Sequence, residues 1–170
     1  GYTTLPLGPA GSVLAALTIV WLTKLYNFMD GIDGLAAGQA IIAAASACFL
    51  LQLQGATSPS LFAVLIVGAS AGFLIWNFPP PARIFLGDVG SGLLGFLFGA
   101  LIVASEATGS VPATVLILPL GVFVGDATIT LLCRVLAREK WYAPHRSHAY
   151  QRAVQRGWGH LRVTLAALLL

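Results

Sequence analysis

Charge is what this sequence has least of. Asp, Glu, Lys and Arg make up 9% of its 170 residues, against about 25% in soluble domains. Hydrophobic residues fill 58% of it, and the mean hydropathy is +0.88. A soluble core of this length needs far less apolar material, so the composition indicates an integral membrane protein. Cysteine is scarce too. Cys48 and Cys133 fall in apolar runs with no CxxC or Cys/His spacing. That argues against a disulfide scaffold or a zinc site and leaves them as small buried hydrophobes. The opening GYTTLPLGPAG has no basic n-region, so no signal peptide is expected there. The chain begins without Met and stops inside the apolar run TLAALLL. A single membrane-embedded domain over 1–170, truncated at both ends, is therefore expected. Long repeats, low-complexity tracts, soluble linkers and nucleic-acid motifs are also missing.

What is there is a series of apolar runs. They cover 12–26, 35–53, 61–76, 90–104 and 112–133, and a sixth starts at 161. A helix needs roughly 20 residues to cross a bilayer, so the shorter runs must extend into the polar motifs beside them. The expected fold is all-α, a polytopic transmembrane helical bundle with about six membrane segments. The connections at 52–60 and 105–112 hold no Lys or Arg. All nine basic residues lie at the alternate ends of successive spans, which by the positive-inside rule are cytosolic. This orientation brings Asp30, Asp33 and Asp88 to the cytosolic face, leaves Glu106 outside and places Asp126 within the fifth span.

Three constellations carry chemistry. In NFMDGIDGL, residues 27–35, Asp30 and Asp33 stand three apart. Such carboxylates share a face in a helix and still converge in a turn. Gly31 and Gly34 let the backbone approach a ligand closely. In RIFLGDVGSG, residues 83–92, Asp88 sits in a glycine-rich entry to a span. The match of 90–95 to GxGxxG is a decoy, since no strand and no βαβ unit surrounds it. Close helix packing accounts for Gly92, Gly95 and Gly99. In the third, His145, Arg146, His148, Arg152, Arg156 and His160 crowd the longest cytosolic loop, 136–160. Arginines there suit phosphate and the histidines a polar group; the histidine spacing fits no standard zinc pattern. The plain alternatives are an interfacial turn for the first motif and a basic anchor loop for the third. Acids able to hold Mg²⁺ and bases able to hold phosphate, on one membrane face, point to phosphoryl transfer between a nucleotide and a membrane lipid.

These motifs, NFMDGIDGLAAGQ, RIFLGDVGSGLLGF and PHRSHAYQRAVQRGWGH, resemble those of the bacterial polyprenyl-phosphate N-acetylhexosamine-1-phosphate transferases. The likeness covers nearly the whole chain. It implies an enzyme of ten or eleven helices in the bacterial inner membrane, working at the cytoplasmic face. Such an enzyme moves a sugar 1-phosphate from a UDP-N-acetylhexosamine to undecaprenyl phosphate and releases UMP. Mg²⁺ is the implied cofactor, with Mn²⁺ as a substitute, and a homodimer is an open expectation. Carried over by motif, Asn27 and Asp88 are metal or diphosphate ligands, and Asp30, Asp33 and His148 are catalytic. Gly34, Leu35 and Phe85 border the uracil pocket, while His145 and Arg146 handle sugar and diphosphate. Asp126 matches a helix acid read as structural.

Departures from the family pattern are informative. Lys24 replaces the first Asn of Asn-x-x-Asn. HRSHAY replaces three consecutive histidines, which argues for an O-antigen-type initiator over the peptidoglycan translocase. The family's upstream Asp-Asp motif is missing. The rivals from other classes are an ion-coupled transporter, to which only Asp126 speaks, and a non-catalytic scaffold.

Overall fold

The apolar runs form helices that reach past their hydrophobic limits. The computed structural model describes residues 7–138 and 148–170. Helix α1 covers Gly8–Met29, α2 Leu35–Leu53, α3 Thr57–Asn77 and α4 Gly87–Ala107. Next come α5, Ala113–Ile117, a 3₁₀ turn, Leu118–Leu120, and α6, Gly121–Leu136. Two short helices follow, α7 Ala149–Gln155 and α8 His160–Leu168. No strand occurs among the described residues. Five segments are long and apolar enough to cross a membrane, α5 through α6 counting as one. The expected sixth corresponds to α8, whose nine residues run to Leu168, two before Leu170. The extensions matter: they put Asn27 on the last turn of α1 and Asp88 in the first turn of α4.

Small residues decide which helices pair. α1 lies antiparallel against α4, and α2 against α3. On α4, a Cβ at Gly95 would overlap the Leu22 carbonyl oxygen, and one at Gly99 would come within 2.8 Å of Ile19 Cα. These two glycines let the backbones of α1 and α4 approach. Gly92 meets Thr23 only at 3.8 Å, ordinary contact, so the packing explanation fails for that one. On α2, Ala36, Ala40, Ala43, Ala44 and Ala47 are buried, and α2 is the most enclosed of the spans. Tyr26 of α1 stacks on Phe98 of α4 and meets Phe123 of α6 edge-on, both at 5.4 Å between centroids. The outward faces of α1 and α3 stay apolar and exposed, as at Leu14, Leu17, Leu61 and Leu65.

The fifth span is broken rather than continuous. Pro119 has no N–H to offer a helical carbonyl, and the chain tightens into the 3₁₀ turn there. Gln39, buried on α2, donates from Nε2 to the Pro119 carbonyl. Cys48 is half-buried, but Cys133 is exposed on α6, which corrects the expectation that both are buried. The long loop is also more than an anchor. Its described part folds as α7 and returns to the bundle, with Tyr150 buried.

Candidate active site

One end of the bundle gathers the end of α1, the starts of α2 and α4, and α7. The turn between α1 and α2 explains how. Asp30 leaves the helical region at φ −86°, ψ 61°. Gly34 then adopts a left-handed φ of 77°, which disfavours any residue with a Cβ. A Cβ at Gly34 would also overlap the Phe78 ring. The Gly34 N–H donates to Asn77 Oδ1 at 2.8 Å, and Asn77 Nδ2 donates to the Ile84 carbonyl at 2.8 Å. Buried Asn77 thus ties the DGIDG turn to the loop before α4. Sequence reading passed over it, since a lone Asn at the end of an apolar run carries no spacing signal.

The turn separates the two aspartates. Asp30 stays beside α4, while Asp33 turns toward α8. Asn27 Nδ2 donates to Asp88 Oδ1 at 3.0 Å and contacts Ser91 Oγ at 3.2 Å. Ser91 in turn donates to the Gly87 carbonyl at 2.8 Å. Burial pushes the Asp30 carboxyl up to about 6, and the nearby negative charge of Asp88 adds to it. Asn27, Asp30 and Asp88 are therefore one cluster. Asp33 Oδ2 accepts the Ala82 N–H at 3.2 Å and lies 3.3 Å from His160 Nδ1. Its carbonyl accepts from Thr164 Oγ1 at 2.7 Å. Asp33 joins the loop before α4 to α8, and convergence of the two acids is not what the structure shows.

Helix α7 docks on the same end through Asp126 and Tyr150. Asp126 Oδ1 accepts the Ala149 N–H at 2.9 Å, and Oδ2 lies 3.3 Å from His148 Nδ1. His148 is 3% exposed, stacked between the rings of Phe28 and Tyr150. Tyr150 donates its hydroxyl to the Phe28 carbonyl at 2.9 Å. Burial raises the Tyr150 hydroxyl well above the usual tyrosine range. The hydrogen bond with Gln151 pulls against this, and the charges of Asp126 and Asp30 add smaller upward pushes. Tyr150 thus keeps the proton it donates. Gly31 makes this docking possible, since a Cβ there would overlap the Tyr150 hydroxyl. Asp126 is paired across the chain rather than only with helix neighbours; spacing holds no hint of that.

The other expected site residues divide. Phe85 is 73% exposed on the loop before α4, free to present its ring. Leu35 is fully buried in the core and offers no surface to a ligand. Gly34 is likewise buried and spends its N–H on Asn77. His145 and Arg146 lie outside the described residues.

The donor set suits a hard cation. Asp30, Asp88 and the Asn27 carboxamide offer only oxygen as ligand atoms, the chemistry Mg²⁺ prefers. Among the described residues no group of three or more His, Cys, Asp or Glu side chains is placed to hold a metal. Mg²⁺ usually takes one or two carboxylates and completes its shell with water and phosphate oxygens, so the cluster fits.

An all-helical bundle of membrane length with an acid–amide cluster at one rim defines a polytopic membrane protein with an interfacial polar site. Residues 2–106 match the model of glycosyl transferase family 4, and the chain belongs to that family. It is 32% identical over 168 residues to a probable undecaprenyl-phosphate N-acetylglucosaminyl 1-phosphate transferase of Bacillus subtilis, covering 96% of this chain and 46% of the other. It is 32% identical over 191 residues to a decaprenyl-phosphate N-acetylglucosaminephosphotransferase of Mycobacterium tuberculosis, covering 99% and 47%. A phospho-N-acetylmuramoyl-pentapeptide-transferase of Moorella thermoacetica is 34% identical over 159 residues, covering 90% and 46%. The chain spans about half the length of the curated relatives it matches.

Proposed function

We propose that the full-length protein transfers an N-acetylhexosamine 1-phosphate from a UDP-sugar to a polyprenyl phosphate such as undecaprenyl phosphate. The observation that carries this is the hydrogen bond between Asn27 and Asp88, which joins α1 to α4 at the rim beside Asp30. A lipid-phosphate oxygen attacks the sugar-side phosphorus, the bond to the bridging oxygen breaks, and UMP leaves. Asp88 and Asn27 would hold Mg²⁺, and the ion would supply positive charge to offset what builds on the phosphoryl oxygens. Asp30, beside Asp88 at the rim, is the carboxylate that accepts the proton of the lipid phosphate. Phe85 stacks on the uracil ring, and Ala82, held by Asp33, fixes the loop that carries it. The family resemblance assigns the sugar and diphosphate to His145 and Arg146, which lie outside the described residues. His148, enclosed as it is, positions α7 rather than touching the sugar.

The positive-inside pattern supports a cytoplasmic site in the bacterial inner membrane. HRSHAY supports an initiator of O-antigen-type polysaccharide. The relatives' names make UDP-GlcNAc the first donor to test. A carrier needs acids near the membrane midplane, and Asp126 instead binds the N-terminal end of α7. The test is release of radiolabelled UMP from UDP-GlcNAc and its epimers by membranes containing the full-length protein, with and without added polyprenyl phosphate. Release that depends on the lipid is expected. No release with any UDP-N-acetylhexosamine overturns the proposal.

A further inference from the structure

The loop between α3 and α4 carries Phe85, and three hydrogen bonds tie it down. Asn77 Nδ2 donates to the Ile84 carbonyl at 2.8 Å. The Arg83 N–H donates to the Trp76 carbonyl at 2.8 Å. The Ala82 N–H donates to Asp33 Oδ2 at 3.2 Å. The first two partners belong to α3 itself, whereas the third tie is longer and crosses to the turn between α1 and α2. A carboxylate offers two oxygens and can rotate, so this tie needs the group to be fixed. His160 stands where it can fix it, with Nδ1 3.3 Å from the same Oδ2. Arg162, the other basic residue in the first turn of α8, stacks on Trp158 at 4.3 Å instead.

Helix α8 has other means of staying docked. Buried Thr164 donates Oγ1 to the Asp33 carbonyl at 2.7 Å, and Val163 is buried beside it. The Leu168 side chain fills the room left by Gly38, where a Cβ would stand 2.7 Å from it. The His160 side chain is 38% exposed while that of Asp33 is 12% exposed. His160 therefore adds little to packing, and its main contact is the carboxylate. We propose that His160 is a positioning residue for nucleotide binding: it fixes the Asp33 carboxylate, which holds Ala82 and so sets Phe85 for the base. The inference rests on the reading of Phe85 as the ring that stacks on uracil.

Hydrogen exchange in the full-length protein reads the tie without substrate. Residues 79–81 are prolines and have no N–H, so a peptide over 79–86 reports Ala82 and the residues after it. His160→Ala is expected to speed exchange there about tenfold and to leave exchange over 160–168 unchanged. In the UMP-release assay the same variant is expected to raise the KM for UDP-GlcNAc about tenfold, with kcat within about twofold of wild type. His160→Asn places a carboxamide nitrogen where Nδ1 stood and is expected to restore both readouts to within about threefold. In an Asp33→Ala background, His160→Ala is expected to leave exchange over 79–86 as it is, because its partner is gone. Unchanged exchange over 79–86, an equal effect in both backgrounds, or no rescue by His160→Asn overturns the proposal. So does a fall in kcat without a rise in KM. Faster exchange over 160–168 assigns His160 to helix docking and overturns it equally. Absence of UMP release from wild type fails the transferase reading, while the exchange arm still decides whether His160 acts through Asp33.

Discussion

Gly31→Ala adds one methyl group and is expected to undock α7. The new Cβ overlaps the Tyr150 hydroxyl and stands 2.9 Å from two ring carbons, where ordinary contact begins at 3.4 Å. The ring must retreat, yet Tyr150 is buried and its hydroxyl is bonded to the Phe28 carbonyl. Gly31 is not among the glycines with positive φ, so alanine brings no backbone strain and the contact alone is tested. Overpacking costs about 1–3 kcal/mol, and the lost hydrogen bond about 1 kcal/mol. Together they weaken docking by about 2–4 kcal/mol, or roughly 30- to 700-fold in the open population of α7. Hydrogen exchange over residues 149–155 of the full-length protein reads this directly. In a Tyr150→Ala background the same change is expected to cost less than about 0.5 kcal/mol, because its partner is gone. Unchanged exchange in Gly31→Ala, or an equal cost in both backgrounds, refutes the reasoning.

Asp30 supplies a pH prediction. Its folded value of about 6 lies above the ordinary 3.8, so the folded protein holds this proton more tightly than the unfolded chain. The stability it contributes is full below 3.8 and is lost as pH rises through about 6. Divalent-cation binding, which competes with that proton, is expected to weaken below about pH 6, as read by Mn²⁺ electron paramagnetic resonance. In Asp88→Asn the carboxyl midpoint by carbon-13 NMR moves down but stays above 3.8, because burial is the larger cause; an unmoved midpoint contradicts this. Gly95→Ala is expected to destabilise the protein by about 1–3 kcal/mol through the α1 backbone it meets. Gly92→Ala, with open contact at 3.8 Å, is expected to be near neutral. Thermal melts of the two variants that coincide would contradict the packing account.

The membrane helices were legible because a 58% hydrophobic chain leaves few other solutions. Their ends were less so. Asn27 and Asp88 are polar residues on terminal helical turns, and hydropathy stops short of them. The break at Pro119 depends on Gln39, 80 residues away, to take up a carbonyl. Helix α7 was hidden in a charged loop because seven residues hold too little periodicity to read. Site composition was visible in the motifs, but site geometry was not. The spacing of Asp30 and Asp33 suggests a shared face, and only the turn through Gly34 shows them parting. His148 stood out by chemistry, while its burial comes from Asp126, Phe28 and Tyr150, brought together by tertiary packing alone.

The central claim is that the Asn27–Asp30–Asp88 cluster is where the reaction takes place. Asp88→Asn in the full-length protein tests it most directly, since the change keeps shape and removes one charge. With expression and thermal stability matched to wild type, UMP release that depends on polyprenyl phosphate is expected to fall by at least about 100-fold. Release within about threefold of wild type would contradict the account.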